Sequence, residues 1–256
     1  ENQYVLSQIP TNRQWNYTIG GSWRHFRDNA YRTFVVSRNY LNNSAQKYVD
    51  NDDSNEANKL LDYQSTEAEN KLRIEETVRK DDWKINYGAG IEWAEYTTTT
   101  FQKLENEVTL NYSSEIGVFK YVAFGQVSKG VLSERLQLSL GARMDANNFN
   151  AHMANPLNQF SPRLSASYSL SQKMAINFNT GIYYQLPPYT TLGYRNTAGE
   201  LVNKDVKYIQ SKHVVLGIEY NTSKNARITV EGFYKHYSNY PMDLLDSISL
   251  ANKGSD

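Results

Sequence analysis

Four histidines, His25, His152, His213 and His236, are the first residues to test for chemistry, because imidazole is the commonest metal ligand and titrates near neutral pH. No two of them stand at i, i+4 or as His-x-His, so the usual spacing of paired metal ligands is absent. Cysteine is absent altogether, which removes thiolate metal sites and disulfide frameworks. The run Asp50-Asn51-Asp52-Asp53 with Glu56 has the charge to attract calcium, but it lacks the glycine and ligand spacing of an EF-hand loop. A solvated acidic loop is the favoured reading. The glycines of Gly20-Gly21 and Gly88-Ala89-Gly90 fall inside strand-like runs, where glycine marks bends or close packing and not a phosphate cradle. No metal, cofactor or catalytic constellation is expected, and the chain is read as not an enzyme.

What remains are charged and tyrosyl side chains whose use depends on the elements that carry them. The decisive signal is period-two alternation. From Trp83 to Trp93 one face reads Trp83, Ile85, Tyr87, Ala89, Ile91, Trp93, and the other Lys84, Asn86, Gly88, Gly90, Glu92. Successive side chains of a strand point to opposite faces, so this run has one apolar face and one polar or bare face. Ten steps of about 3.3 Å, tilted by about 40°, rise roughly 25 Å, the height of a lipid-facing band. The same alternation runs through Leu136–Asp145, Ser161–Leu170, Met174–Gln185, His213–Tyr220 and Arg227–Lys235. Several runs exceed the five or six residues of an ordinary soluble strand.

Composition agrees once this pattern is seen. Only 39% of the 256 residues are hydrophobic and the formal net charge is zero. Mean hydropathy is −0.67, and no apolar stretch is long enough for a membrane helix. A barrel strand needs lipid compatibility on one face only, so such averages conceal it. Tyr is abundant, at 20 residues against 9 Phe and 4 Trp; Tyr and Trp suit the headgroup boundary because each carries a polar handle on an apolar body. Zero net charge and the lack of a basic stripe argue against nucleic acid as a partner.

The fold class expected is therefore all-β: an antiparallel transmembrane barrel of up-and-down hairpins. Ten strands are predicted, at 13–26, 31–38, 69–80, 83–98, 117–129, 134–146, 160–170, 173–185, 210–221 and 226–238. The strand at 69–80 has the weakest signal, because Lys71 to Lys80 is heavily charged, and 118–126 alternates poorly. Short links at Asp28–Ala30, Asp81–Asp82, Gly130–Ser133, Ser171–Gln172 and Thr222–Asn225 alternate with long ones at 39–68, 99–116, 147–159 and 186–209. Short turns face the periplasm and long loops face outward in outer-membrane barrels. Outer-membrane lipid is thus the first partner and the bacterial outer membrane the expected location.

This register turns Arg143, Asp145, Arg163, Glu219, Arg227, Glu231 and Lys235 inward. Mutual pairing in a wet lumen is the favoured reading, with ligand or plug contact as the sharper one. Tyr183 and Gln185 point inward near the outer end of their strand, and Tyr189 and Tyr194 lie in the loop beyond; together they form a candidate ligand-binding surface. A rim phospholipase would need an outward Ser–His pair, and the outward faces hold no Ser. Tyr220 and Ile228 share the lipid face. Parity then calls for an odd turn, and a three-residue Thr222-Ser223-Lys224 turn would set Glu219 opposite Arg227.

Several segments also resemble a known family. Gly181-Ile-Tyr-Tyr-Gln-Leu-Pro-Pro-Tyr189, Phe160-Ser-Pro-Arg-Leu164, Leu140-Gly-Ala-Arg-Met-Asp145, Val230-Glu-Gly-Phe-Tyr-Lys235 and Ser65-x-Glu-Ala-Glu-Asn-Lys-Leu72 are similar to stretches of TonB-dependent receptors of the Bacteroidetes type. The resemblance covers most of the chain. It implies a 22-stranded barrel with an internal plug domain, importing a scarce nutrient such as a metal chelate, haem, cobalamin, glycan or peptide with energy from the TonB complex. No plug-like or TonB-box-like segment precedes the strands, and the chain ends Gly254-Ser255-Asp256 without a terminal aromatic. Residues 1–256 are therefore expected to be a single segment of the barrel domain. The alternative is a free-standing ten-stranded barrel acting as a surface protease or adhesin.

Overall fold

A computed structural model describes residues 9–103, 108–223, 226–242 and 249. The terminal Gly254–Asp256, the turn residues 224–225 and part of the expected 99–116 link lie outside the described residues. Ten antiparallel strands follow one another in sequence order: β1 (Thr11–Arg27), β2 (Ala30–Tyr48), β3 (Lys59–Lys80), β4 (Trp83–Lys103), β5 (Thr109–Val131), β6 (Leu136–Asn147), β7 (Phe160–Ser169), β8 (Met174–Gln185), β9 (Ile209–Ser223) and β10 (Ala226–Ser238). The sheet is an open meander with β1 and β10 at its edges, so these ten strands do not close on themselves. In lipid both edges need partners, because an unpaired backbone group there is costly. That counts against the free-standing ten-stranded barrel.

Pairing assigns the faces strand by strand. Trp93 pairs with Asn70 on one side and Phe119 on the other, while Glu92 pairs with Lys71 and Lys120. The apolar face of β4 is open: Trp83, Ile85, Tyr87, Ile91 and Trp93 are all exposed. Aromatic clusters mark its margins, with Trp15, Tyr17 and Tyr40 mutually 5.1–6.3 Å apart and Trp93 beside Phe119. The polar face holds the buried side chains, among them Tyr96, Thr98, Thr100 and Ser114. It is the inner wall.

Two expected long loops are mostly strand. β2 continues to Tyr48 and β3 begins at Lys59, so the 39–68 link shrinks to two 3-10 turns. There the Asp52 carboxylate accepts from the Ser54 backbone and hydroxyl and from the Asn58 amide. These bonds hold the Asp52 carboxyl below its ordinary range. Likewise β4 runs to Lys103 and β5 starts at Thr109. Above the membrane neither face of a strand meets lipid, so the apolar alternation ends while the ladder goes on. Thr97–Thr100 keep β-branched stiffness, and hydroxyl contacts cross the strands at Thr66–Thr97 (2.6 Å) and Thr99–Ser113 (3.4 Å). The 22 residues of β3 reach about 55 Å along the barrel axis at the usual rise and tilt, well beyond a bilayer core.

The weakly signalled strand at 69–80 is thus the lower half of the second-longest strand. Its charges are no obstacle: Glu69, Lys71, Arg73 and Glu75 share the inner face, and Leu72 and Ile74 the outer. The irregular stretch 118–126 has an equally plain cause. Phe124 and Val122 point inward opposite Gly88 and Gly90. A Cβ at Gly88 would meet Phe124 Cζ at 2.7 Å, so the wall there is filled from the neighbouring strand.

The β9–β10 hairpin departs from the expected register. Tyr220 pairs with Ile228, which keeps both on one face, but Glu219 pairs with Thr229 and not with Arg227. Ser223 pairs with Ala226, and a bulge between Ala226 and Arg227 restores the parity that a two-residue turn would break.

Candidate functional site

The strands differ in height. β2 to β5 have 19 to 23 residues, whereas β6, β7 and β8 have 12, 10 and 12. One side of the wall therefore stands tall beside a low one. The connection from the low side, residues 186–208, reaches back past β7 and β6 and folds against the inner face of β3, β4 and β5. Pro187-Pro188 cannot continue the β8 ladder, and a single helical turn, Tyr189–Leu192, follows. This turn buries Tyr189 and Leu192 against Ala94, Tyr96, Ile116 and Val118, with Phe149, Leu186 and Val206 packed alongside. Leu192 and Val118 have no exposed surface. The Tyr189 ring stacks on Tyr96 at 6.2 Å.

Beneath the helical turn is a ring of charges drawn from three strands. Lys71 Nζ lies 2.6 Å from Glu69 and 3.4 Å from Glu92, and Lys120 pairs with Glu92 and, at 3.3 Å, with Glu69. Two acids and two bases cancel. The Tyr189 hydroxyl closes the arrangement, donating to Glu69 at 2.8 Å and accepting from Lys120 at 2.6 Å. Burial, then the neighbouring Glu69 charge, pushes the Tyr189 phenol well above its ordinary range.

Further bonds tie the connection down. Arg195 Nε donates to Ser114 at 3.1 Å, Asn150 Nδ2 to the carbonyls of Lys204 and Val206, and Asn147 Nδ2 to the Tyr208 hydroxyl at 2.9 Å. Burial pushes Tyr208 up to about 12. Next to these groups a recess of about 380 Å³ opens to the lumen, lined in part by Lys71, Arg73, Arg143, Asp145 and Tyr208.

The candidate recognition residues fall into two pairs. Tyr183 sits on the β8 wall with its ring 4.6 Å from His213 and 4.5 Å from the Arg163 guanidinium carbon. Gln185 ends that strand and is exposed. Tyr189 is buried as described, and Tyr194 is 37% exposed with its ring edge-on to Tyr112. Among the described residues no hydrogen bond or ring contact joins the two pairs.

The expected lumen charges all lie on the inner face. Arg143 grips Asp145 with two bonds of 2.7 and 2.6 Å. Arg163 donates to Ser161 at 3.3 Å. Arg227 reaches diagonally to Glu219 at 3.7 Å, and Glu231 stands opposite Gly217, where the missing side chain leaves it room. The ring of Glu69, Lys71, Glu92 and Lys120 is absent from the sequence reading. Its trace was the charged residue at every second position, Glu67, Glu69, Lys71, Arg73 and Glu75.

Known proteins share this architecture. The ferric enterobactin receptor PfeA of Pseudomonas aeruginosa superposes with a TM-score of 0.67 at 18% identity over 93% of this chain and 37% of its own. The copper transporter OprC gives 0.65 at 17% over 87% and 38%. The pyoverdine outer membrane receptor FpvA of P. aeruginosa PAO1 gives 0.66 at 13% over 89% and 37%. The chain thus spans well under half the length of these structures, and at such identities the likeness establishes the fold. No curated protein matches the sequence. The sequence profile of the family described as TonB dependent receptor-like, beta-barrel, matches residues 3–253, and the chain belongs to that family of outer-membrane β-barrels.

Proposed function

We propose that this chain supplies ten strands of a receptor, of the Bacteroidetes type, that binds a scarce nutrient outside the cell and imports it. Import runs through a barrel filled by the receptor's plug domain, with energy passed on by the TonB complex. The observation that carries this reading is the inward fold of residues 186–208. A connection docked on the lumen wall narrows the entrance and sets aromatic and charged groups around it. A simple surface adhesin has no need of such an arrangement. The similar structures are a copper transporter, a ferric enterobactin receptor and a pyoverdine receptor, which supports a metal or metal chelate as cargo.

In this reading Tyr183, Gln185 and Tyr194 contact the ligand, while buried Tyr189 positions the loop that carries Tyr194. Arg163 stacked on Tyr183 offers a cation backed by an aromatic face, which suits an anionic, aromatic chelate. The test is uptake of a radiolabelled ferric catecholate, and of copper in parallel, by cells making the receptor. A proton uncoupler should abolish uptake. Tyr183→Ala with Gln185→Ala should lower it at least tenfold at normal receptor levels. Uptake indifferent to the uncoupler would overturn the import mechanism, and full uptake by the double variant would remove both residues from the site.

A further inference from the structure

The lipid-facing surface carries a groove that the import reading does not use. Two cross-strand rows bound it. The upper row is Ile19, Arg38, Asn70, Trp93 and Phe119, each paired with the next; the lower is Gly21, Val36, Leu72, Ile91 and Tyr121. Between them lies a hollow of about 480 Å³ with almost wholly apolar walls. Gly21 makes the hollow: a Cβ built there would meet nothing within 4 Å.

A single cation stands in the upper row. Arg38 Nε donates to the Tyr17 hydroxyl at 3.0 Å and Nη1 to the Asn70 side-chain oxygen at 2.8 Å. Both partners are neutral, and among the described residues Arg38 forms no ion pair. The nearest carboxylate of that face, Glu95, sits one row higher and accepts from the Trp93 indole at 2.8 Å. Above Arg38 is the stacked cluster of Trp15, Tyr17 and Tyr40, the kind of aromatic belt that marks a headgroup boundary. Arg38 lies near the middle of β2, in the row of Trp93, which ends the apolar run of β4 on its outward side.

A fixed guanidinium held at headgroup level by neutral groups retains its charge for an outside anion, and an apolar hollow directly below it accepts hydrocarbon. We propose that this is a binding site for one anionic, phosphate-bearing lipid of the outer leaflet, with its phosphate on Arg38 and an acyl chain in the Gly21 hollow. Tyr17 and Asn70 orient the guanidinium. The chain lies across five strands, so a bound lipid also braces the part of the wall whose inner side receives the 186–208 connection. The proposal rests on the barrel fold and membrane placement and not on the nature of the imported ligand.

The test uses the receptor extracted from outer membranes, exchanged into detergent and examined by native mass spectrometry with added lipid. Long-chain phosphatidylglycerol should be retained at one copy, and phosphatidylcholine of the same chains much less. Inorganic phosphate and dihexanoyl phosphatidylglycerol should compete weakly or not at all. Arg38→Gln should lower retention of phosphatidylglycerol at least fivefold. Gly21→Leu, which fills open space without straining the backbone, should lower retention of both lipids. Yield and heat-modifiability of each variant report that it is folded. Equal retention of the two lipids by the wild type, or undiminished retention by either folded variant, would mean annular contact only and overturn the proposal. Competition by inorganic phosphate alone would overturn the acyl-chain half of it.

Discussion

The Tyr189 hydroxyl donates to the Glu69 carboxylate at 2.8 Å across 120 residues of sequence, and Lys120 donates to the same hydroxyl at 2.6 Å. One phenol therefore joins the β8–β9 connection to two strands of the tall wall. The apolar packing of Leu192 and the stacking on Tyr96 hold the same segment by a different force. The two contributions separate by mutation. Tyr189→Phe keeps the ring and removes the hydroxyl; bonds to charged groups contribute about 1.5–3 kcal/mol, so amide exchange across 186–208 should quicken by an order of magnitude or more. Leu192→Ala removes buried methyls and should cost about 2–5 kcal/mol, enough to free the segment. Hydrogen exchange on the intact receptor measures both. Unchanged exchange in Tyr189→Phe would show that the charge ring is not what holds the connection.

Alkaline pH should release the same segment. Burial raises Tyr208 from its ordinary value of 10.0 to about 12, and raises Tyr189 as well. The folded state then holds these protons longer than the undocked one. The stability this confers is complete below about pH 10 and is lost as pH rises through about 12. Protease cleavage between Arg195 and Lys204 should be slow at pH 8 and accelerate over that interval. Tyr208→Phe should narrow the loss, since Tyr189 alone remains to titrate. Cleavage that is already fast at pH 8 would contradict the docked arrangement.

Close approach of β4 to its neighbours makes a third prediction. A Cβ at Gly88 would stand 2.5 Å from the Ile74 carbonyl oxygen and 2.7 Å from Phe124 Cζ. The phenyl can move, whereas the carbonyl belongs to a paired strand and cannot. Overpacking of this kind costs about 1–3 kcal/mol, so Gly88→Ala should lower the temperature at which the unheated gel band of the receptor is lost. Adding Phe124→Ala should recover only part of it. Gly232→Ala meets nothing within 4 Å and should behave as wild type. Equal thermal behaviour of the two alanine variants would refute the tight contact.

How much of this was legible in the sequence follows from where lipid touches the chain. Trp83–Trp93, Leu136–Met144 and Met174–Tyr184 read residue by residue, because the bilayer demands apolar groups on one face and the wet lumen permits anything on the other. The outer ends of β2 to β5 escaped, since Thr99, Thr100, Ser113 and Ser114 meet no lipid on either face and show no apolar alternation. The charge ring escaped for a different reason. Glu69, Glu92 and Lys120 come together only through the registers of β3 with β4 and β4 with β5, and pairing register is a long-range property. Tyr189 was visible as a tyrosine after two prolines, but nothing local distinguishes a tyrosine that greets a ligand from one that pins a loop.

The β9–β10 hairpin supplies the sharpest test of register, and no cysteine among these 256 residues competes with an engineered pair. In the observed pairing Glu219 faces Thr229, and Arg227 is its diagonal neighbour, reached only by a long side chain at 3.7 Å. Directly opposed Cα atoms of antiparallel strands lie about 4.5–5.5 Å apart and diagonal ones about 7–8 Å. A disulfide spans about 4.4–6.8 Å between Cα atoms. Glu219→Cys with Thr229→Cys should therefore oxidise readily in the assembled receptor, and Glu219→Cys with Arg227→Cys should stay reduced. Both sites face the aqueous lumen, so oxidant reaches either pair and the comparison reports distance. The exposed Arg227–Glu219 ion pair itself should contribute little, about 0–1 kcal/mol, and its loss in the second variant should not unsettle the hairpin. The reverse pattern of cross-linking would restore a three-residue turn at Thr222–Lys224 and move every residue of β10 by two positions against β9.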